Sequence, residues 1–143
     1  MERKGADFEK LLDRALEQNR ERWIQDWLRL SAQPSVSATG EGVEECCRMV
    51  AERMEQLGIQ TEIVPVSPYP VIVGKAGNRT DRQTVLIYAH YDVVPAGNQE
   101  LWDTSPFDPV IRDGKVYGRG VADNKSPLMA HLEAFEFLSR IWE

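Results

Sequence analysis

Apolar side chains at Leu12, Leu16, Trp23, Ile24, Trp27 and Leu30 recur at spacings of three, four and seven. That period predicts one amphipathic helix over residues 1–30. The same stretch carries seven basic and seven acidic side chains, which read as its solvated face. Gln33 to Gly40 is a Pro/Ser/Gly loop. A second helix follows, with Val43, Cys46, Cys47, Val50, Met54 and Leu57 on one face and Gly58 as its C′ residue. The period then changes. Ile59–Val64 and Val71–Val73 read as strands around a loop holding Pro65, Pro68 and Pro70, and 77–83 as a polar turn. Thr84–Ala89 is apolar nearly throughout, the signature of a strand buried on both faces. Val110–Tyr117 predicts a hairpin turning at Asp113-Gly114. Ser126 as N-cap and Pro127 at N1 open a last helix with Leu128, Leu132, Phe135 and Leu138 on one face.

Two helices, several strands and a helix make an α/β layout over 143 residues, a one-domain length. The alternation breaks off after the last helix with no following strand, which predicts an incomplete domain. With 17 basic against 23 acidic side chains the net charge is −6, and an acidic chain lacks the basic patch that nucleic acid requires. The longest clean apolar run, Val85 to Ala89, is far below the ~20 residues of a membrane span. Residues 1–10 contain no apolar signal segment, so a cytoplasmic location is expected. Cys46 and Cys47 are adjacent and form neither a disulfide framework nor a metal-binding pair.

Two clusters could carry chemistry. His90 follows the apolar run, at the strand end where α/β sheets gather ligands. It could offer a ring nitrogen to a metal while Asp92 fixes its tautomer. Equally, His90 could be a packed histidine and Asp92 a turn former. In the second cluster, Gly118 and Gly120 flank Arg119, and Asp123 sits just before a helix. Its carboxylate could bridge two cations, or merely favour the helix dipole.

Taken together, the clusters are more specific. His90, Asp92 and Val93-Val94-Pro95 are followed by Trp102, Pro106-Phe107 and Pro109, then Asp113-Gly114-Lys115, Tyr117-Gly118-Arg119-Gly120 and Asp123-Asn124-Lys125. In order and spacing this series resembles the M20 metallopeptidases, the family of carnosine-type dipeptidases, aminoacylases and acetylornithine deacetylases. The resemblance implies the N-terminal portion, over residues 1–143, of a zinc-exopeptidase-type (phosphorylase/hydrolase-like) catalytic domain, with helices packed on a mixed β-sheet. His90 would be a ligand in a two-zinc site, Asp92 would orient it, and Asp123 would bridge both metals, with a cis bond to Asn124. Zn2+, or another divalent ion such as Mn2+ or Co2+, would drive amide hydrolysis in dipeptides or small N-acyl amino acids. The Asp-Asn-Lys form looks most like the dipeptidase branch, and the complete protein would be a homodimer.

The departures are equally specific. The family's Glu-Glu pair, which holds the general base, its other ligands and its lid or dimerisation domain all follow the helix at 126–143 and are absent here. Glu44-Glu45 precedes His90 and cannot be the match. Ser126 stands where the family has Gly. His131, amid Leu128, Leu132 and Phe135, reads as a packed helix residue, and Trp102 and Phe107 read as loop packing. The chain by itself is therefore expected to be inactive. The alternative is a non-catalytic metal-binding or interaction module derived from that family.

Overall fold

The computed structural model describes residues 2–77, 81 and 83–141. The expected turn at 77–83 lies mostly outside these. Helix α1 spans Glu2–Ala32 and α2 spans Val43–Gln56. Strands β1 (Gln60–Val64) and β2 (Val71–Lys75) pair antiparallel, as do β3 (Val110–Arg112) and β4 (Lys115–Tyr117). Helix α3 runs from Ser126 to Ile141. The helix-and-strand class is that expected, and so is the order of these elements, but among the described residues one expected strand is missing from it.

Local chemistry explains most boundaries. Gly58, at φ 76°, takes the left-handed position that ends α2, and the Gly58 N–H returns to the Glu55 carbonyl. Asp113 and Gly114 both have positive φ, 52° and 72°, the requirement of a two-residue type I′ turn. Ser126 corrects one expectation. Its backbone is already helical (φ −67°, ψ −53°), so it is the first helical residue and not the extended N-cap.

Thr84–Ala89 corrects another. It is not a buried strand: Val85, Leu86, Ile87 and Tyr88 are 80, 92, 54 and 82% exposed. The run has the composition of an inner strand, but a strand exists only in a ladder. Among the described residues, β1–β4 bond to one another in two separate pairs and none lies beside it.

The core lies where the three helices meet. Leu30 of α1, Cys46 and Val50 of α2, and Leu128, Met129 and Leu132 of α3 form one buried cluster. Trp27, Met54, Ile59, Ile72 and Tyr91 pack around it. The α1 stripe is covered unevenly: Leu12 and the stripe residues from Trp23 onward are at least half-buried, while Leu16 stays 44% exposed. The face of α3 is less purely apolar than its pattern suggests, because Glu133 and Glu136 are buried too. Arg53 from α2 and Arg22 from α1 reach these carboxylates at 2.8–3.1 Å, tying the three helices together.

Candidate metal centre

Two loops bring the candidate residues together. The first, around His90 to Val94, is laced to the loop after α1. Ser35 Oγ donates to the Tyr91 carbonyl at 2.7 Å, and the Val93 N–H donates to the Ser35 carbonyl at 2.8 Å. Ser37 returns a bond to the Val93 carbonyl at 3.1 Å. The Tyr91 hydroxyl donates to the Pro70 carbonyl at 2.6 Å. His90 thus projects from a backbone held on both sides.

The second loop is Gly118–Lys125. The Arg119 N–H donates to the Pro106 carbonyl at 2.7 Å, and the Lys125 N–H to the Gly120 carbonyl at 3.1 Å. Gly120 is required twice over. Its φ of 77° disfavours a side chain, and a Cβ there would lie 2.4 Å from Val93 Cγ1. That close approach lets the two loops touch. The Asp123–Asn124 peptide bond is cis, as the family resemblance implied.

The loops meet where His90 faces Asp123 and Asn124. His90 Nε2 lies 3.1 Å from Asp123 Oδ1. His90 Nδ1 lies 3.0 Å from the Asp92 carbonyl and 3.3 Å from Asp92 Oδ1. The Asn124 side-chain oxygen accepts from the His90 N–H at 3.3 Å. His90, Asp92 and Asp123 border a cleft of about 230 Å³ that Val93, Val94 and Arg119 also line. Asp123's side chain is 87% exposed, so the carboxylate is open to ligand.

The partners of His90 set its chemistry. Nδ1 faces the carbonyl and the carboxylate of Asp92, and Nε2 faces the Asp123 carboxylate at 3.1 Å. Two electron-pair donors at that separation call for a cation between them, a proton or a metal ion. Two ligands of a tetrahedral zinc, bonded at ~2.0–2.2 Å, sit about 3.3 Å apart, so this donor pair fits. It is half a site at most. Among the described residues, no group of three His, Cys, Asp or Glu side chains could hold an ion.

The remaining candidates lie elsewhere. His131 is on the exposed face of α3, which overturns its reading as a packed histidine. Spacing misled there because the apolar stripe of α3 passes through Leu128 and Leu132 and leaves His131 outside it. Glu44 and Glu45 occupy the exposed first turn of α2. Trp102 does pack a loop: its indole N–H donates to the Ala96 carbonyl at 3.0 Å, and the Arg119 guanidinium lies 5.4 Å from its ring.

Sequence reasoning missed the scaffolding. Lys125 is fully buried, and its Nζ donates to the carbonyls of Leu30, at 3.1 Å, and Gln33. Burial lowers its pKa, against a smaller opposing effect of Cys46. Burial likewise raises the Cys46 thiol. The indole N–H of Trp27 donates to the Val121 carbonyl at 3.1 Å. A lysine in a charged loop motif gives no hint of burial.

Residues 86–142 match peptidase family M20/M25/M40. A cysteinylglycine-S-conjugate dipeptidase of Corynebacterium striatum is 37% identical over 124 residues, covering 84% of this chain and 27% of that protein. The structure of an M20 family metallo-carboxypeptidase from Sulfolobus solfataricus superposes with a TM-score of 0.77 at 34% identity, over 82% of this chain and 27% of that one. Human carnosine dipeptidase 1 superposes at 0.83 with 26% identity, over 93% of this chain and 31% of that one. The chain spans 27% of the length of the curated relative it matches. Motif series, helix-and-strand order and relatives agree, and the chain belongs to the M20 peptidase family.

Proposed function

We propose that this chain is the N-terminal portion, residues 1–143, of the catalytic domain of a zinc-dependent hydrolase. It would cleave the amide bond of dipeptides or small N-acyl amino acids at a two-metal site. One observation carries the reading: His90 Nε2 lies 3.1 Å from Asp123 Oδ1 while His90 Nδ1 faces Asp92. The dipeptidase names of two relatives support a small peptide substrate.

His90 would offer Nε2 as a ligand, and Asp92 would hold the ring by its other nitrogen. Asp123 has two carboxylate oxygens and an open side, so it can serve a second ion. Bound ions, Zn2+ or in its place Mn2+ or Co2+, would supply the positive charge that polarises a carbonyl and acidifies water. Catalytic zinc usually keeps three protein ligands. The others, with the general base, would come from further sequence of the whole protein, which we propose to be a homodimer. Two unpaired, buried thiols suit a cytoplasmic location. Among the described residues, no helix is long and apolar enough to cross a membrane.

Calorimetric zinc titration of the 143-residue chain tests the reading. Binding weaker than nanomolar, lost in both His90→Ala and Asp123→Ala, is expected, with no hydrolysis of a dipeptide panel. A longer protein carrying this segment should hydrolyse the panel. Zinc binding indifferent to both substitutions would overturn the site. Robust turnover by the chain alone would overturn its being one portion of the active site. A long-form protein that keeps zinc and hydrolyses nothing would favour the non-catalytic module.

A further inference from the structure

The segment Val121–Lys125 is grasped by α1 at both ends. At its start, the Trp27 indole donates to the Val121 carbonyl at 3.1 Å. At its end, the fully buried Lys125 Nζ donates to the Leu30 carbonyl at 3.1 Å and to that of Gln33. The last carbonyls of a helix have no partner within it and carry its negative dipole end, so an amine is a fitting cap. Between the two grips lie Asp123, against His90 Nε2, and Asn124, against the His90 N–H. The 87% exposed Asp123 side chain has little packing of its own to hold it.

We infer that Lys125 and Trp27 are positioning residues, through which the C-terminal part of α1 sets Asp123 against His90. The inference rests on the proposed metal site for its meaning, but the clamp can be measured without metal. Neither residue touches the reacting atoms. Lys125 supplies the hydrogen bonds with a hidden amine, and Trp27 is a backup carried by a different element.

The experiment uses the full chain with Lys125→Met, Trp27→Phe and, as a control for mere destabilisation, Arg53→Met, which loosens the helix network remote from His90. Two readouts are taken on each folded variant: the His90 ring 15N shifts without metal, and Co2+ affinity followed by its visible absorption. We expect Lys125→Met to move the His90 ring signals and to weaken Co2+ binding about tenfold, as loss of outer-shell support does. Trp27→Phe should do the same to a smaller degree. Arg53→Met should lower the melting temperature and leave both readouts in place. Unchanged His90 signals and Co2+ affinity in folded Lys125→Met would overturn the inference, as would an equal effect of Arg53→Met. If Lys125→Met does not fold, Trp27→Phe decides by the same criteria. If Asp123→Asn binds Co2+ as the parent does, the metal reading fails instead, and the ring shifts alone still decide the clamp.

Discussion

Asp92 holds the His90 ring with two different groups, its backbone carbonyl at 3.0 Å and its carboxylate at 3.3 Å. Only the second is lost in Asp92→Ala. Loss of such a partner costs ~10–100-fold in metal affinity, and the surviving carbonyl puts the expected effect near ~10-fold. Asp123→Ala removes a proposed ligand outright and should bind less zinc per chain than Asp92→Ala. Zinc titration of both variants checks that ranking, and the reverse order would make Asp92 the direct ligand. Gly120→Ala adds a Cβ 2.4 Å from Val93 Cγ1 at φ 77°. Strain of this kind costs ~1–3 kcal/mol, readable as a lower denaturation midpoint. At this scale the motif residues were legible: His90, Asp92 and Asp123 do converge. Lys125, Asn124 and Trp27 were not legible as scaffolding, because their partners are backbone groups up to 95 residues away that no spacing encodes.

Among the elements, the helices were read well and the strands less so. A helix carries its own hydrogen bonds, so the stripes of α1 and α2 announce themselves. A strand is completed by another segment, and Thr84–Ala89 has no ladder partner among the described residues. The α3 face misled differently. Glu133 and Glu136, outside the apolar pattern, are buried against arginines on the two other helices. Burial pushes the Glu133 carboxyl up to about 7, with the hydrogen bond to Glu136 adding to it and Arg53 opposing. Burial also pushes Glu136 up, but hydrogen bonds from Glu133, Arg22 and Trp23 outweigh it and hold its pKa at about 2. The signs follow by linkage from an unfolded value of ~4.3. Glu136 contributes stability present above ~4.3 and lost as pH falls toward 2. Glu133 contributes stability present below ~4.3 and lost as pH rises through 7. Glu136→Gln leaves the half-exposed Arg22 and the partly buried Arg53 facing a neutral amide, and since Arg53 keeps Glu133 the change should cost ~1–3 kcal/mol at neutral pH. Relative to the parent, Glu133→Gln should gain stability between pH 5 and 8. Denaturant unfolding at several pH values measures both, and a pH-independent difference for Glu133→Gln would refute the assignment.

Over the whole molecule, the open feature is the Val85–Tyr88 run, between 54 and 92% exposed. An uncharged apolar segment without a ladder partner among the described residues is a template for association. The 143-residue chain should therefore bind a hydrophobic dye and self-associate as concentration rises. Leu86→Lys should reduce both, by fluorescence and by sedimentation velocity. An equally associated Leu86→Lys protein would move the cause elsewhere. In the sequence this run was legible as an inner strand. Its exposure was not, because composition records what a segment suits and says nothing of what lies beside it.

The grip of α1 on the segment before α3 also governs the order of folding. Trp27 meets Val121 across 94 residues, Lys125 meets Leu30 across 95, and Arg22 meets Glu136 across 114. Closing loops of that size costs entropy before any contact repays it, and chains rich in such contacts fold slowly. During synthesis α1 is made first, yet its tertiary partners are made last. The hairpins, whose contacts are local, can form as they emerge, while the groups around His90 assemble only once the chain has closed its longest loops. On the proposed metal reading, competence to bind an ion would be the last property this chain acquires as it folds and the first it loses when α1 comes away.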